Sequence, residues 1–334
     1  MLDGASLIAV RTPNWLGDTV MALPMLAALR AGHPEARIVL VGRWAHLLEG
    51  QELADILLPY PGPAHERLAF ARNIRGEPPD VALLLVNSME SAVAAWQWEA
   101  RRRVGFDTDA RQIFLTDVID LPSPRRHQVD EYGLLLRPSG IALEDEAEPV
   151  WRLRSIVDRE IDTLLSSAGV SPGQRVVGLH LGAAFGPSKL WPSKSFGRLA
   201  ALLEQNRLCP LLLGPSEHRE MAAAIVEATG GPVPSLVGRD RPALLPGLLA
   251  RLSCLVSGDT GVAHLAAALR VPTVTLFGPT DPRRTAPRAK TARVLCHKVP
   301  CAPCFLTECP IDHVCMTGID PETVLCEVRS AVDR

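Results

Sequence analysis

Short apolar runs without polar alternation recur along this chain, and a longer helical pattern follows most of them. Val81 to Val86 (VALLLV) is the clearest run. A strand with no polar face must be covered on both sides. Strand-then-helix alternation supplies those covers and argues for a parallel sheet with helices on both faces. Strands are expected at Ser6–Val10, Arg37–Val41, Val81–Val86, Arg175–Leu181, Cys209–Leu213, Ser253–Ser257 and Thr273–Phe277. Helices are expected at Asp18–Arg30, Ser193–Asn206, Ser216–Thr229, Thr260–Leu269 and Pro321–Val332. Glu144–Pro149 (EDEAEP), acidic and proline-ended, separates two rounds of this alternation and reads as a linker. The expected class is α/β, with two Rossmann-like domains facing each other across a cleft. The expected bounds are 1–148 and 149–334, and a length of 334 residues suits two domains of roughly 100–200 residues each.

Composition narrows the function classes. Hydrophobic residues make up 47% and charged residues 22%, enough to bury a sizeable core. A net charge of -2 gives no global field for nucleic acid, so none is expected as a partner. Basic character is local, at Arg101–Arg103 and at Arg125-Arg126-His127. Asp3 comes early and the first apolar stretch, Leu7–Val10, is short, which does not fit a signal peptide. No stretch approaches the about 18 apolar residues of a membrane span. A cytoplasmic protein is expected, and its 8 cysteines then read as thiols or ligands rather than disulfides.

Four segments carry possible chemistry. Arg11-Thr-Pro-Asn14-Trp15-Leu-Gly17-Asp18 follows the first strand, at the carboxyl end where open α/β sheets bind ligands. Gly17 would permit a tight turn and Asp18 would open the helix. Asp18 then reads either as an N-cap or as a carboxylate able to take a proton from an attacking hydroxyl. Trp15 reads as a sugar platform or as core. His180-Leu-Gly182-Ala-Ala-Phe-Gly-Pro-Ser-Lys189 joins two glycines to a mobile positive charge, a combination that suits phosphate but is not the Walker pattern. A surface loop with an incidental lysine is the alternative. Ser257-Gly-Asp259-Thr260-Gly261-Val-Ala-His264 runs from a buried strand into a helix whose first amides form a ready diphosphate site. Asp259 is awkward beside phosphate except as an N-cap or a loop organiser, and His264 alone would read as structural. Phe277-Gly-Pro-Thr-Asp-Pro lies on the same rim. The fourth segment, residues 296–315, holds Cys296, Cys301, Cys304, Cys309 and Cys315 with His297 and His313. Its single C-x2-C fits no standard zinc spacing, so a metal site and a plain thiol loop both stay open.

Taken in order, RTPNWLGD, FGPSKLWP, SGDTGVAHLAAAL, LFGPTDP and CAPC…CP…HVCM resemble the ADP-heptose:lipopolysaccharide heptosyltransferases along nearly the whole chain. Within that family the likeness is to members that add the second inner-core heptose. The resemblance implies the GT-B glycosyltransferase fold, with acceptor bound mainly by the first half and the ADP-heptose donor by the second. It implies an inverting transfer without a metal or other cofactor. Asp18 matches the catalytic base and Lys189 the lysine on the donor diphosphate. Gly182, Gly214, Glu217, Asp259, Thr260, Gly261 and His264 fall on donor-binding segments. Asn14, Trp15, Gly17, Arg101 and Arg103 are the expected acceptor side, with the two arginines toward anionic core groups. Cys301, Cys304, Cys309 and Cys315 are expected to form a structural cluster apart from the chemistry. A lipid-anchored acceptor implies peripheral contact with the inner face of the inner membrane. Rival readings are a same-fold transferase with another acceptor (the first or third core heptose, or a protein), a nucleotide-sugar epimerase, and a non-catalytic nucleotide-sugar-binding module. The missing G-x-G-x-x-G argues against the epimerase, and the presence of both Asp18 and Lys189 argues against the module.

Overall fold

The computed structural model describes residues 2–153, 158–239 and 241–333. The chain divides into two compact units, Met1–Pro149 and Val150–Arg334. The first contains β1 (Leu7–Arg11), α1 (Leu16–Met21), α2 (Leu23–Gly32), β2 (Arg37–Val41), β3 (Ile56–Leu58), α3 (Ala64–Arg75), β4 (Val81–Leu84), α4 (Met89–Gln97), β5 (Arg102–Phe106), β6 (Asp117–Ile119) and α5 (Gln128–Leu134). Its sheet runs in the order β3-β2-β1-β4-β5-β6, and all five strand pairs are parallel. The second contains α6 (Asp158–Ser167), β7 (Val176–His180), α7 (Ser193–Gln205), β8 (Cys209–Leu213), α8 (Arg219–Thr229), α9 (Leu245–Leu249), β9 (Cys254–Gly258), α10 (Gly261–Ala268), β10 (Thr273–Phe277), α11 (Pro282–Thr285), β11 (Ala292–Cys296), α12 (Val314–Thr317) and α13 (Pro321–Val332). Its parallel sheet has the order β11-β10-β9-β7-β8.

The unalternated runs are buried along their whole length: β1, β4, β7, β8, β9 and β10 have no exposed residue. Each fully buried Leu or Val contributes about 1.5–3 kcal/mol of apolar transfer. In the first unit Trp98 (1% exposed) packs with Leu84, Ala92 and Ala95. In the second, Trp191 meets Phe196 edge-on at 4.9 Å, and its indole N–H donates to the Ile319 carbonyl at 3.1 Å. Asp320 caps α13 by accepting from the Thr323 amide at 2.9 Å, and Pro321 follows at the first helical position.

The expected single helix Asp18–Arg30 is two helices, broken at Ala22. Pro24 has no N–H to return to the Val20 carbonyl, so the ladder stops there. Edge strands β3, β6 and β11, and β5, are additions to the expected set. Among the described residues no helix is long and apolar enough to cross a membrane.

Candidate active site

In each unit the carboxyl ends of the strands form one rim, and the singled-out loops leave from it. In the first unit β1 ends at Arg11. Arg11 is 1% exposed, and its guanidinium stacks 4.0 Å above the Tyr60 ring. It donates to the Thr12 carbonyl at 2.7 Å and to the Asn14 side-chain oxygen at 2.8 Å. Burial lowers its pKa from the usual guanidinium value, and the Glu90 charge opposes that shift. The Asn14 carbonyl in turn accepts from the Trp44 indole at 3.0 Å. The loop is therefore held from beneath, and Trp15 projects from it 55% exposed.

Two local expectations need correction. The N-cap of α1 is Trp15, which makes no side-chain cap bond, so Asp18 is a first-turn residue rather than a cap. Gly17 is a buried residue within α1, not the pivot of a turn. Asp18 is half-buried and hydrogen-bonds the hydroxyl of Tyr132, a buried residue of α5. Burial foremost, then the Asp18 and Glu131 charges, raise the Tyr132 pKa well above the usual phenol value, so Tyr132 is a neutral donor. Tyr132 thus helps to orient the carboxylate.

Arg101 and Arg103 do not join this rim. They lie at the amino end of β5, the opposite edge of the parallel sheet from Asp18. Arg101 pairs with Asp80 at 3.1 Å, and Asp80 accepts from the Ser6 and Leu7 amides that open β1. Arg103 donates to the Phe114 and Ala100 carbonyls at 2.6 and 2.7 Å, so its charge ties strand to turn. At the other end of β5, Arg111 is fully buried and donates to the Phe106 and Val86 carbonyls, to Ser91 Oγ and to the Asn87 side-chain oxygen. Desolvation lowers its pKa to about 10. Nothing in its local sequence distinguishes Arg111 from a surface arginine.

In the second unit three loops converge on one carboxylate. Lys189 Nζ donates to Asp259 Oδ2 at 2.5 Å and to the Asp259 carbonyl at 3.2 Å. Thr280 donates its hydroxyl to the same Oδ2 at 2.7 Å. The Lys189 and Asp259 side chains are only 10% and 7% exposed. Lys189 also sits 4.7 Å over the Phe185 ring. Asp259 is therefore a loop organiser and not the cap of α10. The cap position is Thr260, whose hydroxyl is turned to Ser257 Oγ at 2.9 Å and caps no amide. Thr260, Gly261 and Val262 are half-exposed, while Ala263 to Ala268, His264 included, are buried. Thr280, in the segment FGPTDP, joins this cluster; the sequence puts the segment on this rim without singling out the residue.

Gly182 and Gly214 follow the adjacent strands β7 and β8, which end at His180 and Leu213. A Cβ on Gly182 would come 2.8 Å from the His180 ring, and one on Gly214, at φ +149, would be strained. His180 is buried, and its pKa falls to about 4 through desolvation and, secondarily, the neighbouring His218. Glu217 lies exposed in the short turn Ser216–His218 after β8.

All eight cysteines are free thiols. Cys301, Cys304, Cys309 and Cys315 line one pocket of about 280 Å³, together with His313, Pro279 and Ser188. Among the described residues no three Cys, His, Asp or Glu side chains form a group able to hold a metal ion. This segment, expected to lie apart from the chemistry, touches Ser188, the residue before Lys189. Cys296 closes β11 and stands outside the pocket lining.

Known proteins resemble this chain along most of its length. A profile of glycosyltransferase family 9 (heptosyltransferase) matches residues 67–315. Lipopolysaccharide heptosyltransferase 2 of Salmonella typhimurium is 28% identical over 303 residues, covering 86% of this chain and 87% of that protein. The solved structure of Escherichia coli ADP-heptose lipopolysaccharide heptosyltransferase II superposes with a TM-score of 0.82 at 26% identity, covering 97% of this chain and 98% of that one. A Veillonella parvula glycosyl transferase family 9 structure shares the fold with a TM-score of 0.85 at 21% identity, over 99% and 98% of the two chains. These matches make the protein a glycosyltransferase of the GT-B fold class, with two parallel-sheet α/β domains. The profile spans well over half of the sequence, and the chain belongs to glycosyltransferase family 9, the heptosyltransferases.

Proposed function

We propose that this enzyme transfers heptose from ADP-heptose to the inner-core heptose of lipopolysaccharide, with inversion at the anomeric carbon. Family membership and the named functions of the relatives above support the donor and acceptor classes. The observation that carries the donor assignment is the Lys189–Asp259–Thr280 cluster at the half-exposed start of α10. Amides at a helix start and a lysine together suit a diphosphate. In this reading Asp18 accepts the proton of an acceptor hydroxyl while that oxygen bonds to the anomeric carbon. The bond from the anomeric carbon to the diphosphate oxygen breaks, and ADP leaves with the electron pair. Lys189 and the amides of Thr260, Gly261 and Val262 stabilise the charge that grows on the β-phosphate, the role a divalent ion fills elsewhere. Turnover in this reading is indifferent to excess EDTA.

Gly182 and Gly214 would let the donor approach the backbone, with Glu217 at the ribose and His264 supporting the loop from within α10. Asn14, Trp15 and the first turn of α1 form the acceptor side, with exposed Trp15 as the apolar platform for a sugar ring. We further propose that the enzyme works in the cytoplasm in peripheral contact with the inner membrane, where a lipid-anchored acceptor is presented. The test of Asp18 is Asp18→Asn. The amide oxygen still accepts from Tyr132, but the proton acceptor is gone. Turnover should fall by roughly 10²–10⁴ with ADP affinity unchanged in calorimetry; near-normal turnover would remove Asp18 from the reaction.

A further inference from the structure

The Cys-rich segment after β11 grips the loop that carries Lys189. Ser188 is 3% exposed, and residues 306–313 occupy all its polar groups. Its amide donates to the Thr307 carbonyl at 3.1 Å, and its hydroxyl donates to the Leu306 carbonyl at 2.6 Å. Its carbonyl lies 2.6 Å from His313 Nε2, which can only be the donor in that pair. The same segment holds a second arm of the cluster. The Phe305 amide donates to the Pro279 carbonyl at 2.8 Å, next to Thr280. Ser188 and Pro279 each precede a residue whose side chain holds Asp259. One segment therefore fixes the backbone behind both partners of that carboxylate.

Of the grips on Ser188, only the one from His313 is made by a side chain. His313 adopts φ 54°, a left-handed conformation that a non-glycine residue holds at a cost. The cost is met where the imidazole reaches across 125 positions of sequence to a single carbonyl.

We propose that His313 is a positioning residue for donor binding, holding the Ser188 carbonyl so that Lys189 is presented at the start of α10. The inference rests on the reading of Lys189 as a donor ligand.

The test compares His313→Ala, His313→Gln and Lys189→Ala in the full-length enzyme. ADP affinity is read by calorimetry, KM is read separately for ADP-heptose and for acceptor, and unfolding is followed thermally. Loss of one buried hydrogen bond should weaken ADP binding about tenfold in His313→Ala. The acceptor KM should stay within about twofold under the same principle, because nothing on that side has moved. His313→Gln, whose amide N–H can reach the same carbonyl, should recover most of the loss. If Lys189→Ala weakens ADP and His313→Ala does not, the positioning role is refuted while the donor reading stands. If Lys189→Ala itself leaves ADP affinity intact, the donor reading falls whatever His313 does. Equal losses on the donor and acceptor sides, no recovery in His313→Gln, or failure of both His313 variants to fold would make His313 a general stability residue and overturn the proposal.

Discussion

Lys189 and Asp259 are nine-tenths buried against each other, and that changes what a single substitution reports. Removing one member of a buried pair leaves the other charge uncompensated. Lys189→Ala would thus take away a cation and also leave the Asp259 carboxylate uncompensated at the proposed diphosphate site. ADP affinity should fall more than about tenfold, one tenfold step being 1.4 kcal/mol. Lys189→Ala with Asp259→Asn should restore part of the loss, because the repulsive charge is then gone. Calorimetry on the cycle checks this; a double variant as weak as the sum of the singles would show the two residues act independently. His180 gives a pH test. Its pKa drops from 6.5 to about 4 in the folded protein. The unfolded chain therefore binds the proton first, so the contribution is complete above 6.5 and is lost as pH falls from 6.5 towards 4. At 1.36 kcal/mol per unit the loss is on the order of 3 kcal/mol. Denaturant titrations over that window should show a shallower decline for His180→Gln than for the parent, and equal slopes would contradict the assignment.

At the scale of elements, what the sequence made legible was what burial dictates. Strands covered on both faces need no solvent-facing polar row, and β2 (RIVLV), β8 (CPLLL) and β10 (TVTLF), buried save for Arg37, have their expected bounds. Edge strands β3 (ILL) and β6 (DVI) are only three residues long and half-buried or exposed, too short for a run to mark them as strands. The short break at Ala22 needed the proton inventory of Pro24 rather than periodicity. Rims were legible because loops leave the carboxyl ends of strands; which side chains meet across them was not. Thr280 reaches Asp259 over 21 positions and Leu306 reaches Ser188 over 118, distances at which local pattern carries no information. Arg101–Arg103 look like a basic patch in sequence, yet the strand delivers them to the far edge of the sheet. Gly186 shows how tightly the lysine loop is packed: a Cβ there, at φ +151, would sit 2.5 Å from the Thr307 carbonyl oxygen. Gly186→Ala should cost about 1–3 kcal/mol of stability through backbone strain. It should also raise the KM for ADP-heptose, because relief requires moving the Lys189 turn. Denaturation and steady-state kinetics check both, and an unchanged variant would show that the loop yields freely.

At the scale of the molecule, the two units repeat one architecture with different chemistry at their rims. The first offers a half-buried carboxylate held by a neutral tyrosine, with an exposed tryptophan at the start of the same helix. The second offers a buried cation and uncapped helix amides. In the proposed reading the first unit supplies the proton acceptor and the second the diphosphate cradle. The most direct measurement supplies the purified enzyme with ADP-heptose and two lipopolysaccharide cores, one heptose-free and one carrying a single heptose, and follows heptose incorporation by mass spectrometry alongside ADP release. The account predicts that one heptose is added to the one-heptose core with one ADP released, and none to the heptose-free core. Addition to the heptose-free core alone, or ADP release with no heptose on either core, would contradict it.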